Sequence, residues 1–229
     1  IALIIVFIFG INVAGGVSAV VENAQSLPGY LTMHTTYDPV SGTEQPYPII
    51  SIVSMIAWGL GYFGMPHILL RFMAIEDEEK LKLSRKVATG WVVISLAVAV
   101  LIGIIGLAMT AAGELIPLEG SASETIIVKI ADLMSQHGVL PALLAGTILA
   151  GILASTMSTA DSQLLAASSS VSSDLLGDFL KKKTGKKGSM FADRITLLII
   201  ALVAVFLARD PNSSVFNIVS FAWAGFGAV

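Results

Sequence analysis

Gly151-Ile-Leu-Ala-Ser155-Thr-Met-Ser158-Thr159-Ala-Asp161-Ser162-Gln163 lies in the middle of a long apolar segment. Ser155, Ser158, Thr159 and Ser162 recur at i, i+3, i+4 and i+7, so an α-helix puts their hydroxyls on one face, with Asp161 beside it. Hydroxyls and a carboxylate in hydrocarbon are costly unless another group meets them. Two readings stand side by side. Small residues let helices approach closely, and Ser or Thr can bond its own backbone. Alternatively, the oxygens are ligands for a small cation, since neutral hydroxyls and carbonyls can replace its water without burying many carboxylates. One helix supplies only part of such a site, so the rest must come from a partner.

The surroundings make this a membrane question. Of 229 residues 55% are hydrophobic and 13% are charged, against about 25% charged in a soluble domain. The apolar residues fall in runs of about 20, the length that crosses roughly 30 Å of hydrocarbon. There is no cysteine, which excludes disulfides, thiolate metal sites and thiol chemistry. The chain starts and stops inside apolar runs, with no Met or charged n-region before Ile1. It reads as an internal fragment, residues 1–229, of one transmembrane domain.

Spans are expected at 1–21, 49–74, 87–112, 139–176, 190–208 and 214–229. Gly15-Gly16 in the first is a close-packing patch or a kink. Residues 22–48 read as a polar loop with turn signals at Pro28-Gly29, Asp38-Pro39 and Ser41-Gly42. Glu76 to Lys86 reads as a charged loop or short surface helix. In the connection 113–138, Ser123 to Met134 has the pattern of an amphipathic helix on the surface or folded back as a lid. The 139–176 helix is longer than a bilayer is thick and must tilt or project. Arg209-Asp-Pro211-Asn reads as a tight turn.

Charge sets the orientation. Most of the 13 Lys and Arg lie from Arg71 to Lys86 and from Lys181 to Arg194, in alternate connections. The positive-inside rule places loops 75–86 and 177–189 in the cytoplasm, and loops 22–48 and 113–138 outside. The basic run Lys181 to Lys187 is therefore read as a topology determinant, not a nucleic-acid patch.

Within the second span, Trp58-Gly-Leu-Gly-Tyr62-Phe-Gly-Met-Pro66-His67 is poor material for a continuous helix. A break or unwound turn is expected. Irregular backbone at membrane depth is tolerated where it is buried or lines a cavity, and broken helices at the midplane are where secondary transporters bind substrate. The bland alternative is a proline kink with aromatic packing. Trp58, Tyr62 and Pro66, at i, i+4 and i+8, would line one side. His67 has no second metal ligand at helical spacing. The chain carries no GxxxxGK[ST], HExxH or CxxC, and nothing pairs a nucleophile with a base, so an enzyme is not expected.

The Trp58-to-Ile75 stretch together with Ala154-Ser-Thr-Met-Ser158-Thr159-Ala-Asp-Ser-Gln163-Leu-Leu resembles the solute:sodium symporter family, most closely its bacterial sodium/proline members. The resemblance runs over essentially the whole chain. It implies an all-α integral membrane protein with a LeuT-like inverted-repeat fold, here partial, from about core helix 5 to core helix 10. It maps 139–176 onto core helix 8 and its sodium site. Ser158 and Thr159 match hydroxyl ligands, and Ser155 a position that binds through its carbonyl and is often Ala. It ties Trp58, Tyr62 and Pro66 to proline recognition. Met65 stands where relatives carry Gln. The remaining sodium ligands and part of the substrate pocket belong to core helix 1, which is not in this chain.

The function so implied is sodium-coupled symport of L-proline into the cell across the plasma membrane by alternating access. The partners are L-proline, Na+ as coupling ion and the lipid bilayer. Asp161 is read as a step on the cation's exit path or as an ion-pair partner. The rivals are a sodium symporter of another small organic solute, proton coupling through Asp161, and a transporter-like sensor domain of a signalling kinase.

Overall fold

The computed structural model describes residues 2–175, 186–210 and 213–228. The chain packs as two units. One holds Ile1–Gly64, Ala74–Gly151 and Ser214–Val229, and the other Met65–Met73 and Ile152–Ser213. The described residues are mostly helical, as expected of an integral membrane protein.

In the first unit, α1 (Ala2–Val13) and α2 (Val17–Ser26) occupy the expected first span and its polar margin. They meet at a bend of 80°. Gly15 and Gly16 make it, with φ of 91° and 99° that residues bearing a Cβ rarely adopt. Of the two readings of the glycine pair, the kink is the one found.

The connection 22–48 is not all loop. Strands β1 (Thr35–Asp38) and β2 (Thr43–Pro46) form an antiparallel hairpin, with Tyr37 opposite Glu44. Asp38 builds its turn, accepting from the Val40 N–H at 3.0 Å and the Ser41 hydroxyl at 2.7 Å. These bonds, Ser41 first, hold the Asp38 carboxyl below its ordinary range. Period-2 alternation is too brief here to mark strands, so the hairpin rests on turn chemistry.

Helix α5 (Glu78–Ala111) begins within the charged stretch expected to be a separate loop or helix. The cause is local. The Asp77 carboxylate caps the helix by accepting from the Glu79 N–H at 2.9 Å, and Glu78 and Glu79 sit in the first turn, where acidic groups suit the helix dipole. Its C-terminal half packs on α1 and on α6 (Ile126–Ser135). Val6, Ile102, Met109, Ile130 and Met134 are the largest fully buried side chains. Helix α6 overlaps the predicted amphipathic stretch and ends one residue beyond it, its buried Ile130, Ala131 and Met134 on one face.

The second span divides as its composition requires. Helix α3 (Ile49–Ala57) tightens into a 3-10 helix over Trp58–Gly64, and α4 (Pro66–Met73) follows in the second unit. Pro66 opens α4, where a missing N–H costs nothing, and the Met65 carbonyl takes the Ile68 and Leu69 N–H groups. Helix α7 (Val139–Ser169) widens into a π-helix over Ser170–Leu175. Helix α8 (Lys186–Leu207) and helix α9 (Val215–Gly227) complete the order. Residues 176–185 of the basic loop, and 211 and 212 of the expected turn, lie outside the described residues.

Among the described residues, two helical stretches are long and apolar enough to cross a membrane, Glu78–Ala111 and Val139–Ser172. The bent pairs, Ala2–Val13 with Val17–Ser26 and Ile49–Gly64 with Pro66–Met73, meet the same test when each is taken as one span.

Candidate functional site

The hydroxyl face lies on α7 as its spacing requires. Ser155, Ser158 and Thr159 are all exposed. Thr159 Oγ1 donates to the Ser155 carbonyl at 3.2 Å, and Ser162 Oγ to the Thr159 carbonyl at 2.8 Å. These are the back-bonds a hydroxyl makes when no better partner faces it. The Ser155 and Ser158 hydroxyls have no hydrogen-bond partner among the described residues. The hydroxyl face is thus exposed among the described residues. Asp161 is also exposed, and among the described residues it has no ion-pair partner. No group of three or more His, Cys, Asp or Glu side chains that could hold a metal occurs among the described residues. Neutral oxygens such as these suit a monovalent ion.

The broken segment belongs to the first unit and is organised by α9. The Trp58 ring lies 5.4 Å from Phe216 at 16° and 5.7 Å from Trp223 at 30°. Phe216 and Trp223 are two turns apart on one helix, a rise of about 10.5 Å. The Trp58 indole thus stacks against two rings of α9. Tyr62 meets Trp223 edge-on, at 5.6 Å and 87°, and remains 48% exposed. Pro66 is exposed at the start of α4, in the other unit.

The glycines of this segment have a second role that composition does not reveal. A Cβ on Gly64 would lie 2.1 Å from the Phe226 carbonyl oxygen, and one on Gly61 would lie 2.5 Å from Trp223 Cδ1. These glycines set how closely α9 approaches the 3-10 turn, in addition to weakening the helix. A cavity of about 500 Å³ remains beside the contact, lined by Trp58, Leu60, Phe216, Ser220 and Trp223 among others.

Helix α9 is fixed at its other end by Glu124, in the 3-10 turn Gly120–Thr125 just before α6. Glu124 Oε1 accepts from Ser214 Oγ at 2.6 Å and from the Phe216 N–H at 3.3 Å; Oε2 accepts from the Val215 N–H at 3.0 Å. Ser214 Oγ in turn accepts from the Asn217 N–H at 3.2 Å. The first N–H groups of α9, which lack intrahelical acceptors, are thus all met. The Ser214 hydroxyl, and then the Phe216 and Val215 N–H groups, hold the Glu124 carboxyl below its usual range.

Sequence reasoning passed over Glu124, Phe216 and Trp223. Trp223 stands in an apolar run whose aromatics read as generic span residues. Glu124 reads as one more acidic loop residue. Only proximity to a partner remote in sequence gives either its role.

The osmoregulated proline transporter OpuE of Bacillus subtilis is 35% identical over 227 residues, covering 99% of this chain and 43% of its own. The sodium/proline symporter of Escherichia coli is 38% identical over 182 residues, covering 78% of this chain and 35% of its own. That of Staphylococcus aureus is 42% identical over 182 residues, covering 78% and 34%. The chain therefore spans less than half the length of these relatives. No solved structure matches it. The sodium:solute symporter family matches residues 1–229, the whole chain. With its apolar helices and that match, this multi-pass membrane chain belongs to the sodium:solute symporter family.

Proposed function

We propose that the chain forms part of a plasma-membrane symporter that imports L-proline together with Na+, by alternating access in a LeuT-like fold. The observation that carries the reading is the exposed hydroxyl face of α7. The Ser155 carbonyl, Ser158 Oγ and Thr159 Oγ1 are the sodium ligands on this helix. The Thr159 back-bond to Ser155 at 3.2 Å is long, and it is given up when the ion arrives. Core helix 1 of the full transporter completes the shell. Binding there joins two groups of helices and favours the form open to the outside. Each Na+ moving inward gains about 2.3 kcal/mol per 100 mV of membrane potential, in addition to its concentration gradient.

Proline is the substrate of this reading because relatives at 35% and 38% identity are named for it. Trp58, Tyr62 and Pro66 form the chain's share of the proline site. Trp58 is held in place for that role by its stacking on α9. Loops 75–86 and 177–189 face the cytoplasm, following their Lys and Arg. The test is uptake of labelled proline by the full-length transporter in vesicles. Ser158→Ala and Thr159→Ala each raise the sodium concentration for half-maximal uptake, and Thr159→Ser restores it. Unchanged sodium dependence in both alanine variants refutes the site.

A further inference from the structure

Among the described residues, one buried side-chain nitrogen or oxygen lacks a hydrogen-bond partner, the indole Nε1 of Trp223. It lies in an otherwise well-made contact. The ring stacks on Trp58, meets Tyr62 edge-on and lies 6.4 Å from Phe226. Its Cδ1, the carbon next to Nε1, faces Gly61 so closely that a Cβ there would come within 2.5 Å. The Cδ1–Cγ side of the ring is thus what packs on the 3-10 turn that carries Trp58 and Tyr62.

An indole N–H is a donor only. A buried donor without an acceptor is unfavourable, and Phe would fill an aromatic stack without that penalty. The stacking therefore does not account for the indole. What a Trp adds over a Phe at this place is a buried donor, in a ring that packs on the turn between two candidate substrate residues. The turn is the one irregular stretch of backbone in its span, and a cavity of about 500 Å³ adjoins the same ring.

We propose that Trp223 is a binding residue of the transport site, its Nε1–H donating to a carboxylate oxygen of a small amino-acid solute. This rests on the reading of Trp58 and Tyr62 as substrate residues. In the structure described, the donor has no acceptor among the described residues. Solute entry provides one. The donor also favours a carboxylate over a group of the same shape without negative charge, because hydrogen bonds to ionised acceptors are the stronger ones.

The experiment is labelled proline uptake by the full-length transporter, with wild type, Trp223→Phe, Trp223→Ala and Trp58→Ala compared at equal membrane abundance. Trp223→Phe keeps the stack and removes the donor. It is expected to raise KM about tenfold while Vmax and the sodium dependence hold. Unlabelled prolinamide competes less well than proline against wild type, and that gap narrows in Trp223→Phe. A purely structural role for the ring moves KM and Vmax together in Trp223→Ala and leaves the proline-to-prolinamide ratio unchanged. A Trp223→Phe variant with wild-type KM and ratio overturns the proposal. If Trp58→Ala raises KM in that case, the site reading survives and only the Trp223 assignment falls. If Trp58→Ala also has wild-type KM, both fall.

Discussion

The carboxylate of Glu124 accepts the Ser214 hydroxyl at 2.6 Å across 90 residues of chain, and with it takes the first N–H groups of α9. The helix whose Phe216 and Trp223 rings stack on Trp58 is thereby tied at its N-terminus to the connection leading into α6. An acidic residue in a loop thus sets the position of a ring in the candidate substrate site.

Glu124→Ala removes acceptors from Val215 and Phe216, and several-fold faster hydrogen exchange at those amides is expected, with slower uptake. Glu124→Gln, which keeps one acceptor oxygen, falls between. The pH dependence follows from the lowered pKa. A carboxyl whose folded value is depressed stabilises the fold above its unfolded value of about 4.3, and loses that contribution as pH falls through the folded value. Exchange at 215–217 is therefore flat from neutral pH to about 5, after correction for intrinsic rates, and rises only in more acid solution. A wild-type rise centred near neutrality would contradict the assignment.

Gly64 and Gly59 belong to the same 3-10 turn and should respond differently to one methyl group. At Gly64 the Cβ meets a backbone oxygen at 2.1 Å, whereas at Gly59 nothing lies within 4 Å. Backbone yields less readily than a side chain, so Gly64→Ala is expected to destabilise by about 1–3 kcal/mol. Gly59→Ala should be neutral or slightly stabilising. Thermal denaturation of the purified full-length protein in detergent compares the two directly. Equal melting temperatures would mean that close approach of α9 is not what requires glycine at 64.

Asp161 separates sodium coupling from proton coupling. On the reading proposed here, Asp161→Asn retains sodium-dependent uptake, with at most a slower turnover, because the ion is held by Ser155, Ser158 and Thr159. Proton coupling through this carboxyl predicts abolished transport and a wild type that needs no sodium. Uptake measured in sodium and in choline media distinguishes the two.

Asp77 caps α5, and Asp77→Ala removes the acceptor of the Glu79 N–H. Loss of such a cap costs about 1 kcal/mol. The effect should be local: faster exchange at Glu79 and Lys80, with little change beyond the first turn. Asp77→Asn should largely restore protection, because Asn caps as well as Asp. Exchange that spread along the whole helix would show that the charged stretch is not separable from the span.

Local rules sufficed for much of this molecule. Length and apolarity marked the stretches that become α5 and α7, three glycines and a proline foretold the break after Ala57, and the 3.6-residue period put Ser155, Ser158 and Thr159 on one face. These properties belong to a few neighbouring residues, and solvent or lipid acts on them without reference to the rest of the chain. The hairpin at Thr35–Pro46 and the extension of α5 back to Glu78 were less legible. There a single Asp side chain, Asp38 or Asp77, outweighed a weak pattern.

The tertiary structure decided what each of these parts is for. Sequence alone determined that Gly61 and Gly64 would weaken a helix; only the approach of α9 showed that they make room for Trp223 and the Phe226 backbone. Trp58 was legible as a substrate candidate, but its stacking depends on where Phe216 and Trp223 fall on a helix that begins 157 residues later in the chain. Close helix contacts and long-range caps arise from which surfaces meet, and no local period encodes that meeting.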